Sequence, residues 1–256
     1  MRVSSTDLKR YLAHVNLKNI GVIGQKKIID SKILIIGLGG IGSPVATYLA
    51  AAGVKNIGIV DFDKIEISNL HRQILFSEKD IGSLKTKITK KKILEINSKA
   101  RILDFNLKIN NNNIINIAKN FDYVIDGTDN FSTKITINDY CKKFKKKLIT
   151  GAISKFTGHI FFFNFKKKKS PCLRCFMPEI PNLNGVGCQS EGILGTIGGM
   201  VGTIISNEIL REILNFKNSL IGKILIINSE NLNFKFVKLN KNNFCKTDCV
   251  YQRQNV

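Results

Sequence analysis

The run Ile33–Pro44, ILIIGLGGIGSP, constrains this chain more than any other stretch. A continuous series of isoleucine and leucine is the composition of a strand buried on both faces, which calls for a parallel sheet covered by helices. The glycines that follow, Gly37, Gly39, Gly40 and Gly42, satisfy G-x-G-x-x-G. They let the backbone pass close to phosphate, whose charge is met by amide N–H groups and a helix N-terminus. Alone, the pattern permits a tight strand-to-helix turn, a dinucleotide dehydrogenase or an ATP-using enzyme.

The text around the loop repeats the same grammar. SPVATYLAAAG predicts a helix closed by Gly53, with Pro44 accommodated in its first turn. NIGIVD is a second strand ending on Asp61. Helical spacing in SLKTKITKKKILEIN, a strand in ARILDFNL and a short helix in NIINIAKN come next. FDYVIDG, NFSTKITINDYCKKF and KKLITGA then read as strand, helix and strand. Alternation over Lys32–Ala152 predicts an α/β fold with a doubly wound, Rossmann-like, mainly parallel sheet. Residues 8–30 read as helical, with turn glycines at Gly21 and Gly24.

After Ala152 the grammar changes. GHIFFFNF and the pair within KILIINSENLNFKFVKL predict antiparallel strands that extend the sheet. TIGGMVGTIISNEILREIL is a helix with a glycine-rich face, and residues 178–192 read as a mobile loop. No repeat or long linker divides the 256 residues, so one domain is expected. Its parts are an N-terminal helical segment (1–31), a nucleotide-binding half (32–152) and a second half (153–256).

The formal charge of +21 invites a nucleic-acid reading, but its lysines are scattered among asparagine and isoleucine. They lack the interleaved aromatics and arginine clusters of such a surface, so no nucleic-acid partner is expected. The longest apolar stretch, Gly192–Ile205, is short and glycine-laden, so no membrane span is expected either. With no basic leader and apolar h-region, a cytoplasmic protein is expected. Six cysteines then point to metal or catalysis rather than disulfides.

The block DFDKIEISNLHRQILFSEKDIGSLK, Asp61–Lys85, narrows the reading of the glycines. Asp61 suits ribose hydroxyls in either nucleotide reading. A dehydrogenase has no need of Asn69, Arg72 and Lys85 after it, whereas triphosphate oxyanions need such donors and cations. DGTDN follows a strand and places Asp126 and Asp129 at the carboxyl edge of the sheet. A carboxylate beside ATP phosphates suits Mg²⁺, which takes few protein ligands.

In this order and spacing, GLGGIG, VDFDKIEISNLHRQ, IGSLK and DGTDN resemble the ThiF/MoeB family, relatives of the ubiquitin-activating enzymes. The resemblance runs from RYLAHVNLKNIG to FCKTDC. It implies an adenylyltransferase that uses ATP on the C-terminal Gly-Gly of a ubiquitin-like sulfur carrier of the ThiS or MoaD type. Thiamine or molybdenum-cofactor synthesis is the implied pathway. The implied nucleotide-binding set is Gly37, Gly39, Gly40, Gly42, Asp61, Asp63, Asn69, Arg72, Gln73, Lys85, Asp129 and Asn130. Within it Arg72 and Lys85 act on phosphate and Asp129 holds Mg²⁺. The resemblance further implies a homodimer in which an N-terminal arginine reaches the neighbour's ATP. Here Ala13 stands at that position, with Arg10 and Lys18 as the nearby cations. An NAD-dependent oxidoreductase and a non-catalytic carrier-binding relative are the alternatives. Because no rhodanese-type segment follows Val256, the sulfur donor is expected to be separate, a cysteine desulfurase or a rhodanese.

Cys172 and Cys175 form C-x-x-C, and Cys245 and Cys249 form C-x-x-x-C. Two close thiol pairs suit tetrahedral Zn²⁺. The meeting of the pairs is implied by the resemblance, whose members carry a structural zinc on two pairs, the second normally C-x-x-C. Cys188, four residues before Gly192, matches a family cysteine that bonds the activated carrier or joins sulfur transfer. Reduced, unliganded packing residues are the plainer reading of all five, and of Cys141.

Overall fold

The computed structural model describes residues 4–168, 170–178, 192–217, 219–242 and 245. The 178–192 loop falls almost wholly outside them, as do Cys188 and Cys249. Strand β1 (Lys32–Ile36) is central, as its composition requires, with Ile33, Leu34 and Ile35 fully buried. It pairs in parallel with β2 (Asn56–Asp61) on one side and β4 (Tyr123–Asp126) on the other. β3 (Arg101–Asn106) and β5 (Lys147–Ser154) complete the parallel part. β6 (Thr157–Asn164), β7 (Lys223–Asn228) and β8 (Asn233–Lys238) continue it antiparallel, giving the order β3-β2-β1-β4-β5-β6-β7-β8. The sheet is thus α/β and mixed, parallel then antiparallel.

Helices cover both faces. α3 (Gly21–Asp30), α4 (Gly42–Ala52), α5 (Lys85–Ile96) and α9 (Gly195–Ile213) bury apolar stripes against one face, with Val45, Leu49, Ile93, Val201 and Ile205 in that core. α6 (Ile114–Ala118), α7 (Phe131–Lys143) and α8 (Leu173–Phe176) cover the other, around Ile117, Ile135, Phe163 and Leu173. α4 ends in a left-handed cap at Gly53, where the sequence places its stop.

Two short helices, α1 (Ser5–Arg10) and α2 (Leu12–Val15), precede α3. Asp7 ties them down, accepting from Lys55 at 3.1 Å and Lys99 at 3.0 Å. Gly24 corrects one expectation: it is not a turn residue but a buried position inside α3, against Leu214 and Ile20.

Candidate functional site

Where β1 ends and the strand order reverses between β1 and β4, the carboxyl edge of the sheet opens into a cavity of about 610 Å³. This crevice is where open α/β sheets place ligands. Its floor is the turn from β1 to α4. Gly37 adopts φ +87°, and a Cβ there would lie 2.8 Å from the Gly127 backbone. At Gly42 a Cβ would sit 1.8 Å from the Gly37 carbonyl oxygen, so the turn closes only without side chains.

Asp61, buried at the end of β2, fastens this turn. Its two oxygens accept from the Leu38 N–H at 2.7 Å and the Asp63 N–H at 2.8 Å. Burial raises the carboxyl above the ordinary range, and Lys85 and the two N–H groups offset that only in part. Asp61 is therefore a brace for the glycine turn as well as a cavity wall.

The segment after β2 lines the next wall. Lys85 is buried at the start of α5 and pairs with Asp63 at 2.9 Å. Asn69 is buried in a one-turn 3-10 helix, its Oδ1 accepting from the Glu66 N–H. Arg72 lies over Gly40 and donates to the Ser68 carbonyl at 2.8 Å, with His71 Nε2 also at 2.8 Å. Gln73 is buried beside Gly39, and among the described residues its Oε1 has no hydrogen-bond partner. An orphaned amide in a polar cavity is a group awaiting a ligand.

Across the cavity, Asp129 is exposed on the wall, and Asn130 caps α7 by accepting from the Thr133 N–H at 2.8 Å. Asp126 corrects the expectation of an open ligand-facing acid. It is fully buried and takes bonds from the Thr128 N–H and hydroxyl, from Lys134 at 3.1 Å and from Thr150 at 2.5 Å. Lys134 also donates to the Gly151 carbonyl at 2.7 Å, tying the end of β4 to β5. Sequence reasoning missed Lys134. The available signal was a lysine one turn into α7, where the helix dipole favours anions, eight residues beyond an aspartate. It also missed His159 of β6, which lines the cavity as well.

The structure thus gathers Gly37, Gly39, Gly40, Asp61, Asp63, Asn69, Arg72, Gln73, Lys85, Asp129 and Asn130 around one cavity. Gly42 lies directly behind the turn. Ala13, exposed on α2, does not line it. Neither does Arg10, which donates to the Ile96 carbonyl, nor Lys18, which is exposed.

The donor chemistry fits the expected cation. Asp129 offers a solvent-facing carboxylate with room beside it for water and phosphate oxygens, the environment Mg²⁺ requires.

The cysteines form a second cluster at the other end of α7. Cys172 Sγ lies 3.8 Å from Cys175 Sγ and 3.3 Å from Cys245 Sγ. Thiolates on a tetrahedral zinc at 2.3 Å stand about 3.8 Å apart. These three thiols fit a metal; Cys249 lies outside the described residues. α7 braces them: Asn138 Oδ1 accepts from the Leu173 N–H, and Asp139 pairs with Arg174 at 2.8 Å. Cys141 is fully buried, and burial drives its thiol well up, away from the reactive thiolate.

Residues 11–247 match the ThiF family. A probable molybdopterin-synthase adenylyltransferase of Porphyra purpurea is 41% identical over 92% of this chain and 62% of its own length. The adenylyltransferase and sulfurtransferase MOCS3 of Aedes aegypti is 34% identical over 97% of this chain and 56% of its own. The chain therefore spans little more than half the length of these relatives. A crystal structure of E. coli MccB with ATP shares the fold, with a TM-score of 0.80 and 22% identity over 96% of this chain and 75% of that one. Among the described residues no helix is long and apolar enough to cross a membrane.

Proposed function

The chain belongs to the ThiF family, and on that premise we propose that it adenylates the C-terminal Gly-Gly carboxylate of a ubiquitin-like sulfur carrier, releasing pyrophosphate. The observation that carries this is the convergence of the glycine turn, Arg72, Lys85 and Asp129 on one cavity. The names of the relatives favour a MoaD-type carrier and molybdenum-cofactor synthesis over a ThiS-type carrier and thiamine.

The nucleophile needs no general base, because an α-carboxyl has a pKa of about 3.3–3.7 and is already ionised. The barrier is the approach of one anion to another, and alignment with charge neutralisation lowers it. Arg72 leaves its Ser68 contact to reach phosphate, Lys85 supplies buried positive charge, and the Gln73 side chain donates from its amide N–H group. Asp61 keeps the turn in place and faces the ribose. Asp129 would hold Mg²⁺, which shields phosphate charge. Zn²⁺ on the cysteine cluster would be structural, and Cys188 would take part in carrier or sulfur transfer.

A homodimer belongs to the reading. None of residues 4–31 lines the cavity, while Leu12, Leu17, Val22 and Ile23 are exposed on the N-terminal helices. The exposed Ala13 favours one second reading, a carrier-binding relative without turnover. A nicotinamide oxidoreductase would leave Arg72, Lys85 and Asp129 without employment. ATP–pyrophosphate exchange with a MoaD-type carrier, with the carrier adenylate identified by mass, tests the proposal. Carrier-dependent exchange supports it, and binding without exchange selects the second reading.

A further inference from the structure

The cavity has a wall that the nucleotide reading leaves idle. It is formed by Ala152, Ile153 and Ser154 at the end of β5, by Ile193, and by His159 of β6. Because β6 runs antiparallel to β5, its first residues lie at the same carboxyl edge, and His159 sits directly beside Ala152. On the other side it faces Ile226 of β7, so both cross-strand neighbours are uncharged. The strand cannot slide there, since Gly158 packs its opposite face onto Val201 of α9.

The imidazole is half-buried, and among the described residues it makes no hydrogen bond, ion pair or ring contact. Burial pushes its pKa below the usual histidine value, so near neutral pH it carries one N–H donor and one bare nitrogen acceptor. Among the described residues that form this wall, a charged ligand group would find no countercharge. An apolar one would strand the imidazole's polar atoms, which is costly. A peptide group matches it, since it offers a carbonyl and an N–H. Ala152, directly beside it, is small enough to let a main chain approach the ring.

Resting on the adenylation reading, we propose that His159 hydrogen-bonds a main-chain peptide group of the acceptor's C-terminal tail, and so aims its carboxylate at the bound phosphate. This wall adjoins the phosphate-facing side: a Cβ at Gly40 would lie 3.7 Å from both Arg72 and Ile153, so a tail held here ends beside Arg72. His159 is then a substrate-binding residue specific to the acceptor and indifferent to the nucleotide.

Steady-state carrier-dependent ATP–pyrophosphate exchange with a MoaD-type carrier, run on wild type, His159→Leu and His159→Gln, tests this. One lost hydrogen bond is expected to raise the KM for carrier about tenfold in His159→Leu, with the KM for ATP and the Tm unchanged. His159→Gln keeps a donor and an acceptor and returns the KM to within about threefold of wild type. As a second measurement, the ¹⁵N signals of the His159 ring shift on adding carrier and stay put with ATP alone. An unchanged carrier KM in His159→Leu, an equal rise in both KM values, or a ring that ignores the carrier overturns the proposal alone. Wild type that shows no exchange with the carrier sinks the adenylation reading and this proposal with it.

Discussion

The two ends of α7 are built on different terms. At its N-terminal end the cavity's charged groups are already held by one another: Asp61 by backbone N–H groups, Lys85 by Asp63, Asp126 by Lys134 and two threonines. At its C-terminal end the thiols of Cys172, Cys175 and Cys245 crowd together around a space that suits an ion. The first end is largely preorganised by protein bonds, with Arg72 and Gln73 left to engage a ligand. The second is braced by α7 through Asn138 and Asp139, with thiols placed so that they could hold an ion. Preorganisation of this kind is what lets fixed charges act on a transition state without further rearrangement.

That contrast can be broken at the joint between them. Lys134→Met leaves Asp126 buried and uncompensated, and should cost about 3–5 kcal/mol in denaturant-induced unfolding. The double variant with Asp126→Asn should regain at least half of that, whereas equal losses would show that the pair is not the source.

Within the cavity, Lys85→Ala should slow ATP–pyrophosphate exchange by a factor of about 10²–10³, the scale of one electrostatic donor. Zinc content should be untouched, which separates the two ends.

The converse variant acts on the cysteines. Cys172→Ser, or chelation, should remove zinc and stabilisation of about 2.7 kcal/mol at a hundredfold excess of ion over Kd. For a chain of this length that is roughly 5–10 °C in Tm by calorimetry. The KM for ATP should stay as it was. A Tm indifferent to chelator would mean that the thiols hold no structural ion.

The smallest effect belongs to Asp7, remote from both ends. Burial alone would raise its carboxyl, but bonds from Lys99, Ser4 and Lys55 lower it to about 2. Its folded pKa lies below the unfolded value of 3.8, so its contribution is complete above pH 5 and drains away as pH falls toward 2. Asp7→Asn should flatten acid unfolding in that window by up to about 2 kcal/mol and change nothing at the cavity.

Much of this was legible in the residues because it is local. Apolar runs, helical spacing and the Gly53 stop depend on neighbours in the chain, and the parallel half follows from them. The gathering of Asp61 and Asp129 was legible because they sit at or just beyond strand ends, which share one edge in a parallel sheet, while Arg72 and Lys85 belong to the segment that leads from β2 into α5 along that edge. Gly24 misled because glycine tells of turns and of close packing alike, and only Leu214, far along the chain, decides between them. Asp126 misled for a related reason: its partner Thr150 comes from the next strand, and no local pattern marks an acid as already satisfied. His159 carried no signal at all. The antiparallel strand was expected, but its register, which sets His159 beside Ala152 at the carboxyl edge, is not written in the strand's own composition.

The contact between Gly37 and Gly127 also has a consequence in time. β1 is made early, but its turn is backed by a residue that follows 90 positions later. At synthesis rates of about 5–20 residues per second, the cradle waits roughly 5–18 seconds for the strand that closes it. The β5–β8 meander, by contrast, assembles mostly from near neighbours as it emerges, with α9 the one long excursion. The glycine turn, early in the chain, is thus closed only when half of the chain has been made.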